Sequence, residues 1–191
     1  MKKLLIIVDY QNDFVCGSLG FEKAKALDRA ICAKIKEYLS AEQDILFTFD
    51  THGEDYLQTQ EGKNLPVAHC IKGTPGWELY GKAASYQDKA VVCLEKETFG
   101  SAELADYLRE HPYDWVELVG VVSNICVLSN AVIAKAALPE AEILVDAECT
   151  ASNDEQMNDK ALDIMEGLQM KVINRYGRAL NGHETKLYHA V

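Results

Sequence analysis

Basic residues are scarce in this chain. Lysine and arginine number 19 against 30 aspartates and glutamates, for a formal net charge of −11 and a pI near 4.9. They form no run, so neither nucleic acid nor an anionic membrane finds the basic face it needs. Long apolar runs are missing near the start as well. Residues 4–8 are apolar, but Asp9 stops them. Such a run is too short to span a membrane or to serve as the core of a secretion signal. The six cysteines show no CxxC and no paired zinc-finger spacing. A chain of this size needs no disulfide staples, so the expectation is a reduced, cytoplasmic protein. Internal repeats, low-complexity stretches and an interdomain linker are absent too.

What is present is ordinary for a globular protein: 191 residues, 48% hydrophobic and 26% charged. That length suits one domain over 1–191 with a real core. Residues 3–9 read as a strand buried on both faces, ending in a carboxylate. Helical spacing follows over 23–39, then a second strand over 44–50, again ending in aspartate. A long connection over 51–89 is expected to hold a short helix around 77–85. A third strand covers 90–95, and a helix over 101–109 is capped by Ser101. The remaining elements are a strand at 115–121, a helix at 124–137, a strand at 142–146, a helix at 154–168 and a short strand at 171–174. A polar tail occupies 176–191. Strands alternating with helices predict a three-layer α/β/α sandwich around a mainly parallel, six-stranded, Rossmann-like sheet.

In such sheets ligands bind beyond the carboxyl ends of the strands. Asp9, Asp50, Lys96 and Cys126 each close or follow a different strand, so all four fall on that edge. Cys126 sits at the start of a predicted helix, where backbone N–H groups and the helix dipole favour a thiolate and can hold an oxyanion. Asp9 can accept the thiol proton if burial raises its pKa, and Lys96 can supply a positive field. The plain alternative is an Asp–Lys ion pair beside an inert buried cysteine, and position alone does not separate the two.

Three motifs do separate them. Val8-Asp9-Tyr10-Gln11-Asn12-Asp13-Phe14 resembles the D-x-Q-N-D-F opening of the isochorismatase-like cysteine hydrolases. Glu95-Lys96 is similar to that family's lysine, and Gly120 to Val127 to its G-x-x-[ST]-[DN]-x-C-V nucleophile segment. The resemblance runs from residue 1 to about 175. It implies a triad of Asp9, Lys96 and Cys126, a cis peptide between Val121 and Val122, and an oxyanion held by the N–H groups of Val122 and Cys126.

Asp50-Thr51-His52 and His69 in the long loop offer a carboxylate and two imidazoles, a donor set for zinc, iron or manganese. The stretches 49–52 and 66–76 resemble the metal-binding segments of the nicotinamidase and pyrazinamidase branch, with Glu61 as the further ligand and Glu54 and Asp55 as competitors. Phe14 and Phe99 match two pocket aromatics by motif offset; Tyr10, Tyr56 and Trp77 are further candidates. Many of that branch carry tryptophan three residues before the second histidine, where this chain has Pro66, preceded by Leu65. The implied activity is a metal-dependent cysteine amidohydrolase converting nicotinamide, and also pyrazinamide, through a thioester. One alternative is a relative acting on another small amide or ureido compound. Another is a non-catalytic metal-binding thiol protein. The implied partner is a small amide. Family members are often oligomers, and the net charge does not forbid a homo-oligomer.

Overall fold

The computed structural model describes residues 1–175; the tail expected over 176–191 lies outside the described residues. Six apolar runs become six strands: β1 (Lys3–Val8), β2 (Asp44–Asp50), β3 (Val92–Lys96), β4 (Trp115–Val121), β5 (Glu142–Ala151) and β6 (Lys171–Ile173). They form one sheet in the order β3-β2-β1-β4-β5-β6, and every pairing is parallel. A parallel sheet covered on both faces needs strands that are apolar at successive positions, which is why β1 shows no alternation. Its Leu4, Ile6 and Val8 enter one core, and Leu5 and Ile7 the other. Each fully buried Leu or Ile is worth about 1.5–3 kcal/mol.

On the Leu5 face lie α1 (Asn12–Val15), α2 (Glu22–Ala26) and α3 (Asp28–Ser40), which bury Phe14, Leu27, Ile31 and Ile35. The opposite face is covered by α5 (Ala102–Glu110), α6 (Leu128–Ala137) and α7 (Glu155–Gly167) through Leu104, Ala131 and Met165. The short α4 (Gln60–Asn64) sits in the long connection. This is the expected three-layer sandwich. Among the described residues no helix is long and apolar enough to cross a membrane.

Several boundaries differ from expectation, each for a local reason. The helix expected over 23–39 is two helices meeting at Leu27. The Tyr10 hydroxyl donates to the Ala24 carbonyl, and Asp28 accepts the Lys82 N–H, tying the next helix to the long connection. The turn of helix expected at 77–85 is instead a 3-10 stretch over Ala83–Lys89. The strand expected to stop at Asp146 runs on to Ala151, because Asp146 is buried in an ion pair with Lys34 rather than solvated. A register shift opposite Leu118/Gly120 then lets Thr150 and Ala151 rejoin β4. Ser101 caps α5 as its sequence suggests, its Oγ accepting from the Leu104 N–H at 3.1 Å.

Connections from β1 run outward through β2 to β3, and the chain then returns to the other side of β1 as β4. Beyond the ends of β1 and β4 lies the topological switch point, where α/β sheets open a crevice. Gly120, at φ +108, makes that close approach: a Cβ there would strike the Val8 backbone. The following peptide, Val121–Val122, is cis.

Candidate active site

Four strand ends converge at this crevice. Lys96 closes β3 with its ammonium almost wholly buried, and its Nζ lies 2.6 Å from Asp9 Oδ2, 3.0 Å from Asp50 Oδ1 and 3.8 Å from Cys126 Sγ. It also donates to the Thr98 carbonyl at 2.9 Å. Asp9 follows β1 in the left-handed region at φ +45, a conformation that non-glycine residues seldom adopt. The Thr48 hydroxyl donates to its Oδ1 at 2.6 Å. Its Oδ2 is held by the ion pair with Lys96 rather than by a directed hydrogen bond.

Burial pushes the Asp9 carboxyl above the ordinary carboxylate range, against the pull of Lys96. Burial also opposes the charge of Lys96, but Asp9, the thiol and Asp50 more than offset it and hold the ammonium protonated. For Asp50, burial is outweighed by hydrogen bonds from His52 and His69 and by Lys96, so its carboxyl stays ionised.

Cys126 departs from the reading of it as a favoured thiolate at a helix start. It lies in a π turn, Ser123–Val127, ahead of α6. Burial, with Asp9 and Asp50 nearby, pushes its thiol well above the ordinary value despite Lys96. Desolvation of the charged form exceeds what a helix terminus supplies. Its surroundings therefore favour the thiol over the thiolate.

A second cluster adjoins the first through Asp50. Oxygen and nitrogen atoms of Asp50, His52, Glu61 and His69 all lie within 4.8 Å of one another. Asp50 Oδ2 is 3.1 Å from His52 Nε2 and 3.4 Å from His69 Nε2, and each imidazole is 3.9 Å from Glu61 Oε1. His69 Nδ1 lies 2.8 Å from the Val67 carbonyl. Only an N–H can meet a carbonyl there, so Nε2 is the nitrogen that faces the cluster and is free to ligate a cation once it gives up its proton to Asp50, the usual arrangement of a ligating histidine. The donor set and this tautomer fit a divalent cation. Glu54 and Asp55 contribute no atom to the cluster, and Cys70, buried at φ +46, stays outside it.

Cys126 of the first cluster and Asp50, Glu61 and His69 of the second line one cavity of about 420 Å³. Phe14 and Phe99 line it, as their motif offsets suggest, together with His69, Val122 and Cys126. The other three aromatic candidates do not. Tyr10 is buried beneath α2, Trp77 packs on Phe49 at 5.1 Å, and Tyr56 backs the two imidazoles at 4.6 and 4.9 Å. Instead Leu19, Phe21, Leu65 and Ile125 complete the apolar wall. Leu65 stands at the departure noted in the sequence; Leu19, Phe21 and Ile125 carried no sequence signal, because which loop side chains face one cavity depends on how the loops fold over the sheet.

Sequence reasoning also left Gln11 and Asp13 without roles, although both stand in the first motif. The buried Gln11 amide accepts from the Asp50 N–H at 2.8 Å and donates to the Asp50 carbonyl at 2.9 Å and the Trp77 carbonyl at 2.8 Å. Asp13 accepts from the Cys70 N–H at 2.8 Å. Both tie the long loop to the strand ends.

The family model for the isochorismatase domain matches residues 3–175. The chain belongs to the isochorismatase family. A nicotinamidase/pyrazinamidase from Mycobacterium tuberculosis is 30% identical over 80% of this chain and 89% of its own length. The crystal structure of a pyrazinamidase/nicotinamidase from Streptococcus mutans superposes with a TM-score of 0.81 at 34% identity, covering 90% of this chain and 100% of that one. A nicotinamidase from Bacillus subtilis superposes at 0.80 with 28% identity, covering 90% of this chain and 99% of its own.

Proposed function

We propose that this isochorismatase-family chain is a metal-dependent cysteine amidohydrolase that converts nicotinamide to nicotinate and ammonia, and pyrazinamide likewise. The observation carrying this reading is one lysine in contact with Asp9, Asp50 and Cys126, joined through Asp50 to the Asp50/His52/Glu61/His69 cluster, with Cys126, Asp50, Glu61 and His69 lining one cavity. Relatives named for the same amides support it.

Cys126 attacks the carboxamide carbon as its proton passes to Asp9, so no free thiolate has to accumulate. A C–S bond forms, and the tetrahedral oxyanion is received by the N–H groups of Val122 and Cys126 beside the Val121–Val122 peptide. Asp9 then gives the proton to the amide nitrogen, the C–N bond breaks, and ammonia leaves a thioester. Asp9 next takes a proton from a water that attacks the thioester; nicotinate departs and the proton returns to sulfur. Lys96 stays protonated throughout and balances the charge on Asp9. Asp50, His52, Glu61 and His69 would hold a divalent ion such as zinc, iron or manganese, which would supply a Lewis-acid anchor for the ring nitrogen. Phe14 and Phe99 flank the ring.

No lysine or arginine among the described residues lines the cavity, whose charged members are Asp50 and Glu61 with His69 beside them. That surrounding favours a neutral ring amide over an anionic ureido acid. Leu65, contributing aliphatic rather than aromatic wall, is the feature that favours the second reading, a related small amide. All six cysteines are free, Cys16 and Cys93 on the surface, which suits the cytoplasm.

The test is ammonia release from nicotinamide by metal-loaded and chelated protein beside Cys126→Ala. We expect metal-dependent release that falls on the order of ten-thousand-fold or more in the variant. Substantial turnover by Cys126→Ala would overturn the mechanism. If a panel of other amides outpaces nicotinamide, the second reading replaces the first.

A further inference from the structure

Asn130, which no reading of the motifs assigns, is fully buried in α6, one helical turn beyond Cys126. Its side-chain amide spans two segments. Nδ2 donates to the Cys126 carbonyl at 2.8 Å and to the Phe99 carbonyl at 3.1 Å. Oδ1 accepts from the Ser101 N–H at 3.0 Å. One amide thereby meets the turn that carries the thiol and the loop that carries an aromatic wall of the cavity.

The loop has little other freedom of placement. Gly100 lies flat on α6, where a Cβ would stand 2.7 Å from Ile133 Cδ1 and 3.4 Å from Ser129 Cβ. One residue before Phe99, the Thr98 carbonyl receives the Lys96 ammonium at 2.9 Å. One residue after Gly100, Ser101 caps α5. The segment from Lys96 to Ser101 is thus pinned at both ends, and Asn130 joins its middle and far end to the Cys126 turn. An aliphatic side chain of similar size would fill the volume and satisfy none of these three backbone groups.

We propose that Asn130 is a positioning residue that clamps the Phe99 loop to the Cys126 turn, so that the wall that seats the substrate ring and the sulfur that attacks it keep one spacing. The proposal rests on the roles assigned above to Cys126 and Phe99. Without the clamp the wall shifts and seats the ring less often, while Lys96 still holds Cys126 and Asp9, so the loss falls on KM rather than on kcat.

The experiment is a double-variant cycle read by kinetics and by hydrogen exchange. Asn130→Ala should raise KM for nicotinamide about tenfold and leave kcat within about threefold. In a Phe99→Ala background the same substitution should change KM little, because the wall it positions is already gone. Amide exchange should quicken in 97–101 and in 123–127 together. Ser101→Ala is the local control: it removes the α5 cap but keeps the Ser101 N–H on Asn130, so these segments should stay protected and KM unchanged. If Asn130→Ala does not fold, Asn130→Asp keeps the acceptor and loses both donated bonds; the Ser101 amide should then stay protected while 123–127 exchanges faster. Unchanged exchange in both segments, or KM effects that add fully in the double variant, would overturn the clamp. No hydrolysis by the wild-type protein would remove the function proposed above, and the exchange data would still decide the clamp.

Discussion

Among the described residues two lysines, the buried Lys96 and the half-buried Lys34, are each set between two carboxylates. Lys96 bridges Asp9 and Asp50 at 2.6 and 3.0 Å; Lys34 bridges Glu117 and Asp146, both at 3.0 Å. In each set one oxygen, Asp9 Oδ2 or Glu117 Oε1, is held by the ion pair alone. What differs is the rest of the shell. Around Lys34 it is closed by protein: Tyr38 donates to Glu117 at 2.7 Å, Trp115 to Tyr38 at 3.0 Å, and Asn174 to Asp146 at 3.0 Å. Each set has a buried thiol beside it, Cys149 at Asp146 and Cys126 at Lys96, but around Lys96 the shell also includes two imidazoles and opens on a cavity at Cys126 and Asp50. The same ionic triplet is a fastening where its partners are used up, and chemical machinery where some face an opening.

Removing each lysine separates the two uses. Lys96→Met should lower kcat per folded molecule by about a thousandfold, besides the stability it costs by leaving Asp9 without its ion pair. Lys34→Met should instead cost about 3–5 kcal/mol in urea unfolding, since it strands two buried carboxylates, with turnover per folded molecule nearly unchanged. If Lys34→Met abolished activity in folded protein, the contrast would fail.

Metal loading should act on one triplet only. A divalent ion at a hundred times its Kd should add about 2.7 kcal/mol to stability, measured as a rise in Tm. Glu61→Gln should shrink that rise, whereas Lys34→Met should preserve it. A rise untouched by Glu61→Gln would remove Glu61 from the ligand set.

Alkaline titration sharpens the comparison further. Burial opposes the Lys34 charge, but Glu117 and Asp146 outweigh it and hold its pKa above the usual lysine value. A raised folded value means the contribution is complete below the unfolded pKa of about 10.4 and is lost as pH climbs through the folded one. The stability gap between wild type and Lys34→Met should therefore be flat from neutrality to about pH 10 and narrow only above it. A gap that closes by pH 8 would show that charge pairing is not what Lys34 contributes. The smallest effect is Ser101→Ala, about 1 kcal/mol from the lost α5 cap, with both triplets intact.

Much of the site was legible in order along the chain. Asp9, Asp50, Lys96 and Cys126 could be assigned to one sheet edge because strand direction in a parallel sheet puts every strand end on the same side. His52 and His69 followed from their residue types and motif surroundings. The thiol's titration was not legible, because it depends on how fully the turn is desolvated. Leu19, Phe21 and Ile125 were not legible as pocket wall either, since loop side chains obey no period. Asp146 misled for the opposite reason: a carboxylate reads as a strand end until the lysine across from it is known.

Taken alone, the sequence determined the layered parallel fold, through continuous apolar runs that only a sheet covered on both faces can bury. It also determined the order of the reactive groups, through side-chain chemistry set at strand ends. Tertiary structure alone decided which lysine is a fastening and which holds groups that line a cavity, and that one asparagine joins the thiol's turn to the pocket wall. Those outcomes turn on what stands across a few ångströms of space from each group, and residues distant in the chain supply it.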